Sequence, residues 1–370
     1  MVRFLGIAGP FSSHCYDFRE CWSRSCGYSK RYGEMHFGVI GLSHVHVIGM
    51  TQALLGLPDV ACEGLCPEET PVSKGFEGLF PDLPRRSRDD LLGDPSIDLI
   101  LCADVNGRRG SLLVAALRAG KHVFVDKPPV TTLEDLEAVE RAAGESGKLF
   151  FVYFGERLGN PLSVKAKQLV QEGRIGTVVN FIGLGPHKLG IERRPAWMFD
   201  PDLYGGILND IAIHQIELFR WLTGQRVTRF RSRVGNFATP QHPTFEDFGD
   251  VWFEGDGGTA GYVRVDWFTP DALPTWGDIR QLLVGSEGTL EIRSTVNIGS
   301  ADPKPVLLLT TRGSAPEQVD VSNVDTAWAP QLVADVSDGV NRLMPHEETF
   351  EALRTILLMQ KQAERIGLQS

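Results

Sequence analysis

Ile97-Asp98-Leu99-Ile100-Leu101-Cys102-Ala103, a helix-like 111–119, then Gly120-Lys121-His122-Val123-Phe124-Val125-Asp126-Lys127-Pro128-Pro129 read as strand, helix and strand. Gly120 is the helix stop and Val123 to Val125 form a short buried strand. Lys127 therefore stands at the carboxyl end of a strand, the edge where open parallel sheets bind their ligands. Pro128 keeps it extended and out of the next helix.

Upstream, His36-Phe37-Gly38-Val39-Ile40-Gly41-Leu42-Ser43-His44-Val45-His46 reads as strand, tight turn and the start of a helix ending near Gly56. Such a turn offers backbone N–H groups and a helix N-terminus to a pyrophosphate. Only the first glycine of a GxGxxG fingerprint is present, at Gly41, with Ser43 and His46 in the other two places. The loop alone does not specify a nucleotide site.

Downstream, Gly205-Gly206-Ile207-Leu208-Asn209-Asp210-Ile211-Ala212-Ile213-His214 predicts a glycine turn into a helix with Asp210 and His214 on one face. Apolar residues dominate this helix until Thr223-Gly224 ends it. By themselves, a capping Asp210 and a satisfied core His214 would be ordinary. Past Arg157 the chain changes character. A helix over 161–172 leads to strand-like runs at 178–182, 226–234, 250–253, 261–268, 280–284, 289–292 and 306–309. Successive strands without helices between them argue for an antiparallel sheet, and a helix over 346–366 closes the chain.

Gly41-Leu42-Ser43-His44, Ala119 to Val123 with Asp126-Lys127-Pro128, Gly173-Arg174-Ile175-Gly176, and Gly205-Gly206 with Asp210 and His214 together resemble the Gfo/Idh/MocA oxidoreductase family, in its order and spacing. The resemblance implies an α/β Rossmann dinucleotide-binding domain, 36–155, followed by an α+β domain with an open-faced, mainly antiparallel sheet, 156–370. The second domain would bind substrate and form a homodimer or homotetramer. The resemblance further implies that Lys127, Asp210 and His214 are catalytic. Gly41, Leu42, Ser43, His44, Cys66, Asn106, Asp126 and Lys127 would hold the cofactor, and Arg157, Trp197, Asp210 and His214 the substrate. Asp126 stands where the family has glutamate, and Cys66 where it has an acid for the adenosine ribose, for which Glu68 or Glu69 could substitute. Arg109 takes a usual histidine position. No arginine closely follows Cys66, so NAD is favoured, with NADP possible. Glu156, Arg193, Arg194, Tyr204, Asp266 and Trp276 are further polar or aromatic candidates, a mixture that suits a sugar or polyol ring.

The implied activity is hydride transfer between a nicotinamide cofactor and a sugar, inositol or related polyol. Two other readings stay open: glycoside processing with tightly held NAD and no net redox turnover, or a non-catalytic dinucleotide sensor. With 370 residues, 42% apolar and 23% charged, the chain can bury two domain cores. A net charge of −10 and only short basic pairs exclude nucleic acid and anionic membranes as expected partners. No apolar run reaches the ~20 residues of a membrane span, so a cytoplasmic protein is expected. The six cysteines lack zinc-ligand spacing, and no metal is expected. Residues 1–34 carry no amphipathic period, which predicts a flexible extension or a true start at Met35.

Overall fold

The computed structural model describes residues 34–367, so the expectations for the preceding residues lie outside the described part. Strands β1 (Met35–Leu42), β2 (Val60–Cys66), β3 (Leu99–Ala103), β4 (His122–Asp126) and β5 (Phe150–Tyr153) form a sheet in the order β2-β1-β3-β4-β5. Every pairing in it is parallel. All residues of β3 and β4 are buried, because helices α1 (His46–Leu55), α2 (Asn106–Arg118) and α3 (Leu133–Ser146) pack over the faces. The chain order reverses around β1, which opens a crevice beyond the carboxyl ends of β1 and β3. Gly41 has φ +88° there, and a Cβ on it would lie 2.6 Å from that of Asp104. Glycine is the residue this turn admits.

The second sheet contains β6 (Val178–Pro186), β7 (Val227–Asn236), β8 (Phe248–Gly255), β9 (Ala260–Asp266), β10 (Arg280–Gly285), β11 (Gly288–Arg293), β12 (Val306–Thr311), β13 (Glu317–Gln318) and β14 (Glu364–Gly367). Its order is β13-β12-β11-β10-β6-β9-β8-β7-β14, antiparallel except where β6 meets β9 and β7 meets β14. Helices α4 (Pro161–Gln171) and α5 (Ile213–Thr223) cover one face. On β8, Val251 and Phe253 are buried under it, whereas Trp252 is 60% exposed on the other face.

The expected closing helix over 346–366 is corrected. Helices α6 (Trp328–Asp338) and α7 (His346–Lys361) end before β14, which pairs with the free edge of β7. Unpaired ladder groups on a sheet edge outcompete local helix propensity. The same segment crosses back to the first sheet: Phe350 stacks on Phe150 at 5.1 Å, Trp328 packs on Phe124 at 5.3 Å, and Phe150 N–H donates to His346 Nε2 at 2.9 Å. One continuous apolar core joins both sheets.

Candidate active site

Lys127 and Asp210, 83 residues apart, meet in the cleft. Lys127 Nζ donates to both Asp210 Oδ1 and the Asp210 carbonyl at 2.8 Å. Burial pushes the Asp210 carboxyl up, but the Lys127 charge and hydrogen bond outweigh it and hold the group below its ordinary value. The continuous α-helix expected to carry Asp210 is corrected: Leu208–Ala212 is a π turn, and the α-helix begins at Ile213. A donor inserted into the carbonyl ladder, as Lys127 is, accompanies such local rewinding.

Distant residues cap this turn. Ile207 N–H donates to Glu246 Oε2 at 3.0 Å and Leu208 N–H to Gln360 Oε1 at 2.9 Å, while Gln360 Nε2 donates back to Glu246 at 2.9 Å. Gly206, with φ +88°, leaves room for the Gln360 amide where a Cβ would stand. The helix start is thereby satisfied from α7 and from the loop before β8.

His214 is buried on the same segment, and its Nδ1 has no partner. Burial, reinforced by Lys127, pushes the imidazole well below its usual value, so it is neutral at physiological pH. Sequence reading missed His187, which follows β6 and carries no motif spacing. Its Nδ1 meets the Gly185 carbonyl at 3.0 Å, and burial, with the Lys127 charge, pushes it down to about 3. Glu156 lies behind Lys127 and accepts from Gln215 at 2.8 Å and Gln281 at 3.2 Å; burial pushes it up to about 7.

On the first sheet, Asp126 is fully buried between His44 Nδ1 at 2.7 Å and His46 Nδ1 at 2.8 Å. Burial acts to raise its carboxyl, yet the His46 and His44 imidazoles hold it well below the usual carboxylate range. These three side chains bring ligand atoms within 4.8 Å of one another, close enough for a cation, while the carboxylate already engages both rings. Arg109, also fully buried, donates to the carbonyls of Asp104, Asp126 and Pro128 at 2.7 to 2.9 Å. It ties the loop after β3 to the turn carrying Lys127. Its sequence position pointed to a departure; its role required the fold.

Of the cofactor candidates, Leu42 and Asp126 are fully buried, and Ser43 and His44 lie on the loop after β1. Ser43 Oγ donates to Glu68 Oε2 at 2.9 Å, so Glu68 faces the loop after β1, while Cys66 ends β2. Ser43 and His44 N–H both donate to the Ala103 carbonyl at 3.0 Å and are already used. The first turns of α1 and α2 carry neither a side-chain cap nor an acidic residue. Uncapped helix starts, with the half-buried Glu68 carboxylate and Lys127 near them, fit a dinucleotide: phosphates at the helix starts and ribose hydroxyls at Glu68. Asn106 Nδ2 instead donates to the Tyr204 carbonyl at 3.0 Å, joining the domains.

Arg157 does not converge on Lys127. It binds Glu217 at 2.5 Å and the Leu343 carbonyl at 2.6 Å, and lies over Trp221 at 5.0 Å. Trp197 occupies a short turn, Ala196–Phe199, half-buried against the core.

A parallel sheet with its crevice at the order reversal, closed by a second domain that supplies Asp210 and His214, defines a two-domain protein of the Rossmann dinucleotide-binding class. The chain belongs to the Gfo/Idh/MocA family: residues 37–154 match the oxidoreductase family's NAD-binding Rossmann fold, and residues 163–291 match the GFO/IDH/MocA C-terminal domain. It is 29% identical over 231 residues to scyllo-inositol 2-dehydrogenase (NAD(+)) of Bacillus subtilis, a match spanning 61% of this chain and 62% of that protein. With myo-inositol 2-dehydrogenase of Thermotoga maritima it shares 27% identity over 267 residues, 71% of this chain and 72% of the other. A protein of Erwinia carotovora atroseptica with a known crystal structure is 39% identical, with a TM-score of 0.85 over 90% of this chain and 99% of that one.

Proposed function

We propose that this chain is an NAD(P)-dependent oxidoreductase acting between a secondary alcohol and its carbonyl on a sugar, inositol or related polyol. The observation that carries this is the buried Lys127–Asp210 pair beside a neutral, unpartnered His214. When bound, the nicotinamide supplies the hydride chemistry. His214 takes the substrate hydroxyl proton as the carbinol C–H bond breaks and returns it in the reverse direction. Lys127 Nζ hydrogen-bonds the same oxygen and stabilises its developing negative charge. Asp210 fixes the ammonium in place through two contacts to one residue. Intact proton-handling groups of this kind argue against a mere sensor.

Glu68 supports NAD over NADP, because a carboxylate facing the loop accepts from ribose hydroxyls and repels a 2′-phosphate. The inositol dehydrogenases among the relatives support the polyol class. The exposed Trp252 face supports a homo-oligomer. Among the described residues no helix is long and apolar enough to cross a membrane. The test is a panel of sugars and cyclitols assayed for reduction of NAD and NADP. Turnover on at least one polyol, with NAD preferred, is expected; tight dinucleotide binding with no reduction of added NAD by any of them would overturn the reading.

A further inference from the structure

We infer that the cleft contains a subsite for a carboxylate on the substrate, built by Arg194, Trp267 and Tyr204. The inference rests on the proposed reaction and narrows its substrate to a sugar or polyol acid.

The backbone holds two arms of the Arg194 fork: Nε donates to the Leu189 carbonyl at 2.6 Å and Nη2 to the Lys188 carbonyl at 2.9 Å. Nη1 meets only Met198 Sδ, at 3.8 Å, and a thioether is a weak acceptor. The guanidinium lies over the Trp267 ring at 4.7 Å. Asp210 is near enough for its charge to act on Arg194, but its Oδ1 accepts from Lys127 and its carboxylate also faces the Tyr204 hydroxyl. Among the described residues no carboxylate forms a salt bridge with Arg194, whereas Lys127 has Asp210 and Arg109 has Asp126.

Two further polar groups beside it are unsatisfied. Trp267 is 7% exposed and Tyr204 2%, and neither Trp267 Nε1 nor the Tyr204 hydroxyl completes a hydrogen bond, although the hydroxyl lies near both Trp267 and Asp210. Phe245 packs against both rings and holds them together. Leaving a buried polar group unpaired costs its full desolvation, which is why native structures leave few of them.

The chemistry of these groups selects the ligand. Arg and Trp side chains can only donate, and the Tyr hydroxyl has a proton to give. A neutral sugar hydroxyl would answer one donor and bring a proton needing its own acceptor. A carboxylate brings four acceptor positions, no donor and the charge that Arg194 lacks. His187 lies against Trp267 at 5.6 Å and Trp276 at 4.7 Å, an aromatic wall for the ring that links the acid to the reacting carbinol.

Matched pairs test this: D-glucose with D-glucuronate and D-galactose with D-galacturonate. For each, kcat/KM with NAD is measured, together with Kd for the NADH-loaded protein by calorimetry. The acid is expected to bind at least about tenfold better than its neutral partner in one pair or both. Arg194→Leu should lower that preference on the order of ten- to a hundredfold, with Arg194→Lys in between because it keeps charge without the fork. Trp267→Phe, which removes only the N–H and part of the ring, should reduce the same preference if Arg194→Leu fails to fold. Equal or better binding of the neutral sugar in both pairs overturns the subsite, as does an unchanged acid-to-neutral ratio in the folded variants. Arg194-dependent binding of acids without dinucleotide reduction would instead sink the proposed reaction and leave the subsite standing. Turnover restricted to neutral polyols would do the reverse.

Discussion

At the scale of single residues, the proposed reaction divides its work between Lys127 and the Asp210–His214 segment, which begins 83 residues further along the chain. In that proposal Lys127 carries charge to the reacting oxygen, Asp210 positions it, and His214, kept neutral by burial, accepts the proton. If Lys127 and His214 serve one oxygen, Lys127→Met and His214→Ala should each lower kcat on the order of 10²-fold or more, with dinucleotide affinity changing far less. The double variant should lose little beyond either single one. Retained turnover per folded molecule in His214→Ala, with a lowered Tm, would make it a core residue. The sign of the pH dependence follows from the same burial. An imidazole pushed well below 6.5 stays neutral as pH falls through that value, so the acid limb of kcat/KM for alcohol oxidation should lie below pH 6.5. A limb centred above neutrality would assign the proton to another group.

The π turn at Leu208–Ala212 shows how an element can depend on partners outside itself. Its opening N–H groups have no local cap and are satisfied by Glu246 and Gln360, the second of which sits 152 residues from Leu208. Gln360→Leu removes the acceptor and leaves Glu246 without its Gln360 donor. It should destabilise the protein by about 1 to 3 kcal/mol and lower kcat by moving Asp210 relative to Lys127. Chemical denaturation and steady-state kinetics on one preparation check both effects; a loss of stability with an unchanged kcat would limit the cap to a structural role. Glycine at position 206 is legible as a turn, but the Gln360 amide that fills the space beside it is not.

For the whole molecule, the return of α7 to the first sheet couples the two domains. Phe350 is 4% exposed and stacked on Phe150, so Phe350→Ala should leave a cavity and cost about 3 to 5 kcal/mol. The unfolding midpoint should fall for the nucleotide-binding and substrate halves together, followed by dinucleotide fluorescence for the first and far-UV signal for the whole. Midpoints that separate, with the second half unaffected, would show that α7 belongs to the first domain alone.

The sequence by itself determined the alternation of strands and helices in the first half, the run of strands in the second, and the strand-end position of Lys127, while only the family resemblance linked Lys127 to Asp210 and His214. Those features depend on local periodicity, glycine and proline placement and motif order, all of which survive in one dimension. The tertiary structure alone decided the π turn, the β14 edge strand, the caps from Glu246 and Gln360, the Arg109 clamp on the Lys127 turn, and the convergence of His187 and Arg194 on the cleft. Each of these joins residues distant in the chain, where no spacing rule links donor to acceptor and burial decides which polar groups must find one another.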